Sequence, residues 1–274
     1  MTRACRATPD DRARPEVQAQ RPHVELLRTI GASSTPRGSA DLSKWRPPMP
    51  DQNGFEGCTA HAAGSLIYQR LAILGRPLAW VPSFLGIWSD ALLVEAAPGT
   101  TAAQLAAMNA GVQSVSAMIA IGHGVRPMGP LASGRFSDVV TGPIAPGLDQ
   151  MTTAAMAPIV GEYRIDEGQP NWTEDACVLL DNEIPIYLGI NVGPEYMRWV
   201  ASMPPIDDDE AAGSSLGGHA VRIDKYETTQ SGARVFSSPG SYGLSYFDQG
   251  VALFTARALE ARTFDSYPFD VRVP

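Results

Sequence analysis

The sequence has few cysteines and no cysteine pattern typical of a crosslinked or zinc-binding domain. Its 274 residues include Cys5, Cys58 and Cys177, and no two of these form a C-x-x-C pair. An odd count without such a pair provides neither a disulfide framework nor a zinc signature. At most one disulfide could form, and the sequence does not select the pair.

Long apolar runs are also absent. The first 23 residues are polar and rich in Arg and Pro, without the apolar core of a signal peptide. The least charged stretch, residues 96–122, contains Gln104, Asn109 and Gln113. It predicts buried helices, because a membrane span needs about 20 mostly apolar residues. We therefore expect no signal peptide, no transmembrane segment and no membrane partner.

Charge is scarce and unevenly distributed. Charged residues make up 18% of the chain and hydrophobic residues 44%, which excludes a disordered or collagen-like protein. The net charge is −8, yet residues 1–46 carry nine basic and five acidic groups. The acidic remainder argues against nucleic-acid binding, which usually needs a basic face. The basic N-terminus leaves an acidic partner open.

The first half of the sequence has a helical pattern behind an extended segment. Residues 1–40, called the N-terminal arm below, contain four prolines, so we expect an extended basic arm with a short helix around Val24–Ile30. Apolar residues at helical spacing predict a helix from Cys58, with Gly75 as its C-terminal cap. Further helices are predicted at Thr101–Asn109 and Ser114–Ile121, and mostly loop over 122–160.

The second half has the alternation of β-strands. Asn171, with Glu174 three residues later, predicts the start of a helix that ends near Asn182. The predicted strands are Ile184–Val192, His219–Tyr226, Ala233–Phe236 and Val251–Thr255. We therefore predict an α+β fold with a helical lobe over about 41–160 and a β lobe over about 161–274.

Cys58 is a candidate nucleophile because of its position. It stands where a Pro/Gly-rich loop becomes a helix, so the positive end of the helix dipole favours its thiolate. Thiolate is the nucleophilic form of cysteine. The alternative is a buried, inert thiol, which is the commonest fate of an unbridged cysteine.

His219 and Gln52 are candidate partners for Cys58. His219 follows two glycines at the start of a predicted strand, where its ring could face a cleft as a general base. Gln52 lies six residues before Cys58, and its amide could donate to an oxyanion beside the Cys58 backbone N–H. A structural role for His219 is the alternative.

These residues occur in an ordered set of motifs. Residues 41–62 read DLSKWRPPMPDQNGFEGCTAHA, residues 217–221 read GGHAV, and residues 235–240 read VFSSPG. The set resembles the microbial and viral branch of the papain-like cysteine peptidases over roughly residues 41–255. The resemblance implies a two-lobed papain-like fold with an antiparallel, barrel-like β lobe, and no metal or cofactor.

The same resemblance implies the roles of the site residues. Cys58 would be the nucleophile, His219 the general base and then acid, and Gln52 part of the oxyanion hole. The family's third catalytic residue, an Asn in N-S-W-G, is replaced by Ser237 on the simplest alignment, and its Trp by Pro239. A serine hydroxyl can accept the imidazole N–H, but its side chain is shorter.

Two functions follow from the resemblance. The first is a cysteine peptidase that hydrolyses a peptide or protein substrate through a thioester, impaired by the loss of the Asn. The alternative is a catalytically weak or inactive papain-fold subunit that joins a larger assembly, such as a phage or virus particle, through residues 1–40. We expect a cytoplasmic or virion-associated protein in either case. A related acyl transfer, such as amide ligation, would use the same Cys-His pair.

Overall fold

The computed structural model describes residues 7–33, 35–52, 56–97, 100, 104, 111–125, 160, 162–207 and 215–271. The helices within these ranges are α1 (Pro15–Gln18), α2 (His23–Thr29), α3 (Cys58–Ile73), α4 (Phe84–Glu95), α5 (Ser114–His123), α6 (Trp172–Asp181), α7 (Pro194–Arg198) and α8 (Ala256–Arg262). The strands are β1 (Arg21–Pro22), β2 (Ser39–Asp41), β3 (Tyr163–Arg164), β4 (Ile186–Val192), β5 (Gly217–Ile223), β6 (Lys225–Thr228), β7 (Arg234–Pro239), β8 (Val251–Thr255) and β9 (Thr263–Pro268).

Helix α3 is the central helix and begins at Cys58, as predicted. Residues on almost all of its faces are buried, because it packs against α4 and α5 on one side and against β4 and β5 on another. The helix ends before Leu74, and Gly75 follows with a φ of +72°. Glycine adopts this left-handed conformation without steric cost, which confirms its predicted place after the helix.

The strands form two antiparallel sheets and one short parallel pair. The larger sheet has the order β2-β6-β7-β8, and the smaller has the order β5-β4-β9. The described strands do not close into a barrel. In the smaller sheet His219 lies opposite Ile190, which fixes the place of its side chain in the middle of the molecule.

Two hydrophobic clusters make up the core, and β4 contributes to both. The first cluster is formed mainly by α3, α4 and α5, and the second by the sheets with α6. Tyr187 of β4 lies in the first cluster, whereas Ile186 and Leu188 lie in the second. Successive strand residues point to opposite faces, so β4 is covered on both sides. The α+β class with a helical and a β part is confirmed.

The N-terminal arm packs onto the rest of the chain. Val17 and Leu26, on its two short helices, are buried, and α2 confirms the helix predicted around Val24–Ile30. Asp10 is also buried, and its carboxylate accepts hydrogen bonds from Arg164 and from the Tyr267 hydroxyl. The described part of the arm is thus anchored by polar as well as apolar contacts.

Other predictions from the sequence have mixed outcomes. The helix over Ser114–Ile121 is confirmed as α5. Asn171 precedes α6 as predicted, but it has a φ of +62° and its side chain does not cap the helix. The strand predicted over His219–Tyr226 is divided at Asp224 into β5 and β6. The helix over Thr101–Asn109 and the loop over 122–160 lie largely outside the described residues.

Within those residues, no helix combines the length and the apolar character that crossing a bilayer requires.

Candidate active site

Cys58 is the first residue of α3 and its side chain is fully buried. Its backbone N–H is among the first N–H groups of the helix, which have no partner within the helix. The helix dipole therefore favours a thiolate at this position. Cys177 provides a contrast, because it lies inside α6, where burial raises the pKa of its thiol well above the ordinary value.

His219 is fully buried between two tyrosine rings. The Tyr242 ring stacks on it, with centroids 4.9 Å apart and planes 6° apart. The Tyr196 ring lies 5.7 Å away and is tilted by 56°. Burial lowers the pKa of His219 to about 3, and the nearby His61 contributes in the same direction. The imidazole is therefore neutral at physiological pH and, while it stays buried, it is a weak base.

Gln52 is connected to His219 and Tyr242 through Ser241. Its backbone N–H donates to the Ser241 carbonyl at 2.7 Å, and its side-chain carbonyl accepts a hydrogen bond from the Ser241 hydroxyl. The next residue, Tyr242, stacks on His219. A short chain of contacts therefore connects Gln52 with His219, and both side chains are fully buried.

His61 connects the start of α3 with α4. It lies one helical turn after Cys58, and its Nδ1 is 2.8 Å from the Gly57 carbonyl. Its ring stacks on Phe84 of α4, with centroids 4.5 Å apart. Burial lowers the pKa of His61 to about 4. Helix α3 packs against β5, the strand that carries His219.

The structure does not bring Ser237 to the His219 ring. Ser237 lies on β7 opposite Lys225 of β6, and it lines a pocket of 440 Å³ together with Arg46 and Glu227. Among the described residues, neither ring nitrogen of His219 has a hydrogen-bond partner. The contact that the simplest alignment predicts for Ser237 is therefore not made in this structure.

Sequence reasoning missed the role of Ser241 and Tyr242. Shifting the alignment by three residues places Gly240 at the family's Asn, Ser241 at its Ser and Tyr242 at its Trp. The signal in the sequence is an aromatic residue followed by Gly243. The predicted exchange of Asn for Ser then becomes an exchange of Asn for glycine.

The N-terminal arm contacts Gly218, the residue before His219. The Ala7 N–H donates to the Gly218 carbonyl at 2.7 Å, and Ala7 belongs to the same apolar cluster as Cys58. A Cβ at position 218 would stand 1.9 Å from the Ala7 carbonyl oxygen. Gly218 is thus required by the close approach of the arm.

A metal site is not evident where the structure is described. In those parts of the chain, no group of three or more His, Cys, Asp or Glu side chains could hold an ion.

Solved structures similar to this chain are cysteine proteases. Xylellain, a cysteine protease from Xylella fastidiosa, aligns over 98% of this chain and 95% of its own, with a TM-score of 0.66 and 16% identity. The proCathepsin B S9 from Trypanosoma congolense aligns over 97% and 87%, with a TM-score of 0.67 and 14% identity. Digestive procathepsin L 3 of Tenebrio molitor larval midgut aligns over 96% and 75%, with a TM-score of 0.62 and 15% identity.

The chain has a papain-like fold. At this level of identity the likeness concerns the fold alone. No protein-family model and no curated protein sequence matches the chain. The papain-like fold accounts for the central helix that begins at Cys58 and for the strand that carries His219, and it confirms the predicted fold class.

Proposed function

We propose that this protein is a papain-like cysteine peptidase that hydrolyses peptide bonds through a thioester. The observation that carries the proposal is the connection of Gln52 to His219 through Ser241 and Tyr242, with His219 on the strand that packs against the helix beginning at Cys58. A nucleophile, a base and an oxyanion donor are the groups that acyl transfer requires. The papain-like fold supports the assignment, although fold alone does not determine activity.

Each group has a defined step in the proposed reaction. A nitrogen of the neutral His219 takes the proton from the Cys58 thiol, and the sulfur attacks the substrate carbonyl carbon. The Gln52 side-chain amide and the Cys58 backbone N–H donate to the resulting oxyanion. The C–N bond then breaks as His219 returns the proton to the leaving amine. Water finally hydrolyses the thioester, with His219 again as base.

Access to the site requires a change in the N-terminal arm. Cys58, His219 and Gln52 have no exposed surface, and Ala7 of the arm packs in the cluster that contains Cys58. We infer that the arm holds the peptidase closed until it moves. The alignments with the two procathepsins support this inference, since they cover at least 96% of this chain and therefore include most of the arm.

Thiol labelling tests the proposal. The full-length protein is incubated in reducing buffer with an epoxide reagent that alkylates thiols, and the adduct is located by peptide mapping. We expect an adduct on Cys58 that disappears in Cys58→Ala and persists in the matched variants Cys5→Ala and Cys177→Ala. The same preparations are assayed for cleavage of an unfolded protein substrate, and cleavage is expected to need Cys58.

A second variant separates a closed site from an inactive one. Asp10→Ala removes the arm's hydrogen bonds with Arg164 and Tyr267 without touching the proposed site. We expect faster labelling and faster cleavage in this variant. Absence of Cys58-dependent labelling in both the wild type and Asp10→Ala would contradict the peptidase assignment.

The alternative is a papain-fold subunit with little catalysis. It is favoured by one observation, namely that His219 has no hydrogen-bond partner among the described residues. On this alternative the arm would serve an assembly partner. The labelling experiment decides between the two functions, because a binding subunit has no need of a reactive Cys58.

A further inference from the structure

Near His219, the hydroxyl group of Tyr196 lies beside Gly240, a residue without a side chain. Gly240 follows β7, and an ideal Cβ there would lie 3.5 Å from the Tyr196 hydroxyl oxygen and 3.4 Å from Phe247. The Tyr196 hydroxyl therefore lies where it would be in van der Waals contact with a side chain at position 240. The ring of the same tyrosine lies 5.7 Å from the His219 ring.

We propose that Tyr196 is the positioning residue that orients the His219 ring for catalysis, a role that rests on the proposed peptidase function. A general base works efficiently when a third group holds its ring in one orientation and one tautomer. In the buried conformation neither ring nitrogen of His219 has a hydrogen-bond partner among the described residues, so the bond would form when the imidazole turns and the phenol oxygen of Tyr196 accepts from one ring N–H. The other ring nitrogen would then take the proton from Cys58.

Tyr242, the other ring beside His219, cannot serve in this way. It lies parallel to the imidazole, with 6° between the planes, so it covers the face of the ring. The N–H bonds of an imidazole lie in the ring plane and need an acceptor near that plane. The Tyr196 ring is tilted by 56° to the imidazole and therefore does not stack on its face. In this proposal Tyr242 covers the face of the His219 ring, and Tyr196 orients the ring.

Tyr196 is held firmly enough to position another group. It is fully buried on the short helix α7. Its ring packs against Phe247, with centroids 4.9 Å apart, and against Phe254, with centroids 5.8 Å apart. The neighbouring Glu195 forms an ion pair with Arg262 of α8, which ties α7 to the β part of the molecule. A hydroxyl on such a support has little freedom to move.

The test is Tyr196→Phe in the full-length protein, with Cys58 alkylation and kcat/KM measured across pH. We expect a loss of about fivefold or more at neutral pH, the factor that corresponds to one neutral hydrogen bond. We also expect the pH profile to shift, because the imidazolium loses its acceptor. Tyr246→Phe is the matched control, since Tyr246 contacts Tyr242 and Phe247 and removes the same atom. It should keep the wild-type rate and profile.

The double variant Tyr196→Phe/Gly240→Asn separates orientation from packing. Removing the hydroxyl vacates the space beside Gly240, and an Asn there supplies an amide oxygen instead. Recovery of the rate and of the pH profile is expected. If Tyr196→Phe lowers the rate and the double variant does not restore it, the hydroxyl acts through packing and the proposal is overturned. An unchanged Tyr196→Phe would also overturn it, as would a loss that appears only in Ser238→Ala, which removes another buried hydroxyl near the end of β7.

A spectroscopic measurement keeps this proposal separate from the peptidase assignment. The imidazole nitrogen signals of His219 in NMR report its tautomer whether or not the protein cleaves peptides. We expect one dominant tautomer in the wild type and a change in Tyr196→Phe. If Cys58 is never alkylated while these signals still depend on Tyr196, the peptidase assignment fails and the contact stands. Signals that are identical in both proteins would overturn the contact.

Discussion

Gly218 illustrates how much a single residue determines near the proposed site. Its carbonyl accepts a hydrogen bond from the Ala7 N–H. Because glycine has no side chain, the arm can pass close to the backbone at this position. The following residue is His219. One glycine therefore sets both the path of the arm and the spacing between the arm and the proposed base.

We predict that Gly218→Ala displaces the arm. The added Cβ would lie 1.9 Å from the Ala7 carbonyl oxygen, a distance that forces the backbone apart. Overpacking of this kind costs about 1–3 kcal/mol, so we expect the arm to be cleaved by trypsin about tenfold faster. Gly38→Ala is the matched control, because a Cβ there has no neighbour within 4 Å. Equal cleavage rates in the two variants would contradict the described path of the arm.

The residue scale also shows how much of the candidate site could be predicted from the sequence. Cys58, Gln52 and His219 follow from helix position, spacing and flanking glycines, and the structure connects Gln52 with His219 through Ser241 and Tyr242. Ser237 follows only from the simplest alignment of the motifs, and its hydrogen bond to His219 is not made among the described residues. The decisive facts are the stacking of Tyr242 and the hydroxyl above Gly240, which depend on contacts between residues far apart in the chain.

Among the elements, the arm and β9 meet at a buried acidic pair. The Asp10 N–H donates to the Asp265 carboxylate at 3.0 Å, and Arg164 lies 2.8 Å from the same carboxylate. Burial raises the pKa of Asp265 to about 7, the nearby Asp10 carboxylate adds to the rise, and Arg164 opposes it. The Tyr267 hydroxyl and Ser114 complete the surroundings.

This pair predicts how stability changes with pH. The folded pKa of Asp265, about 7, lies above its ordinary value of 3.8. The contribution of Asp265 to the free energy of unfolding is therefore complete below about pH 4 and is lost as the pH rises through about 7. We expect Asp265→Asn to flatten the pH dependence of the urea midpoint between pH 4 and 8. The exposed-loop variant Asp166→Asn should follow the wild type, and a wild-type slope in Asp265→Asn would contradict the prediction.

Elements with a strong local signal were predictable, and others were not. Helix α3 follows from its apolar spacing and from Gly75, and β8 spans the predicted Val251–Thr255. Helix α4 was not predicted, although Ser83 caps it by accepting from the Gly86 N–H at 3.1 Å. The break between β5 and β6 at Asp224 could not be predicted locally, and the carboxylate at that position accepts a hydrogen bond from the distant Arg46.

On the scale of the whole molecule, Asp224 links segments from both halves of the chain. It is fully buried, and both of its oxygens accept from Arg46 at 2.6 Å. Gln69 of α3 donates to it at 3.0 Å. Its charge also favours the protonated form of the buried Arg222, whose pKa burial lowers to about 10. One carboxylate thus compensates two arginines at the junction of α3 with the sheets.

We predict that Asp224→Ala strongly destabilises the fold. Removing the acidic partner from a buried ion pair leaves uncompensated charge and costs about 3–5 kcal/mol. The free energy of unfolding in urea measures the effect. The comparison is Arg257→Ala, which breaks the exposed pair with Asp207 at 2.9 Å and should cost no more than about 1 kcal/mol. Similar decreases in the free energy of unfolding of both variants would contradict the prediction that Asp224 stabilises the fold by compensating buried arginines.

The complete burial of Cys58, His219 and Gln52 has a kinetic consequence. A molecule in this conformation does not react with a reagent in solution, so each observed rate is the intrinsic rate multiplied by the fraction of molecules that are open. Large and small reagents that need the same opening would be slowed by the same factor. The ratio of their rates would then describe the chemistry of the site, and their common factor would give the free energy of opening.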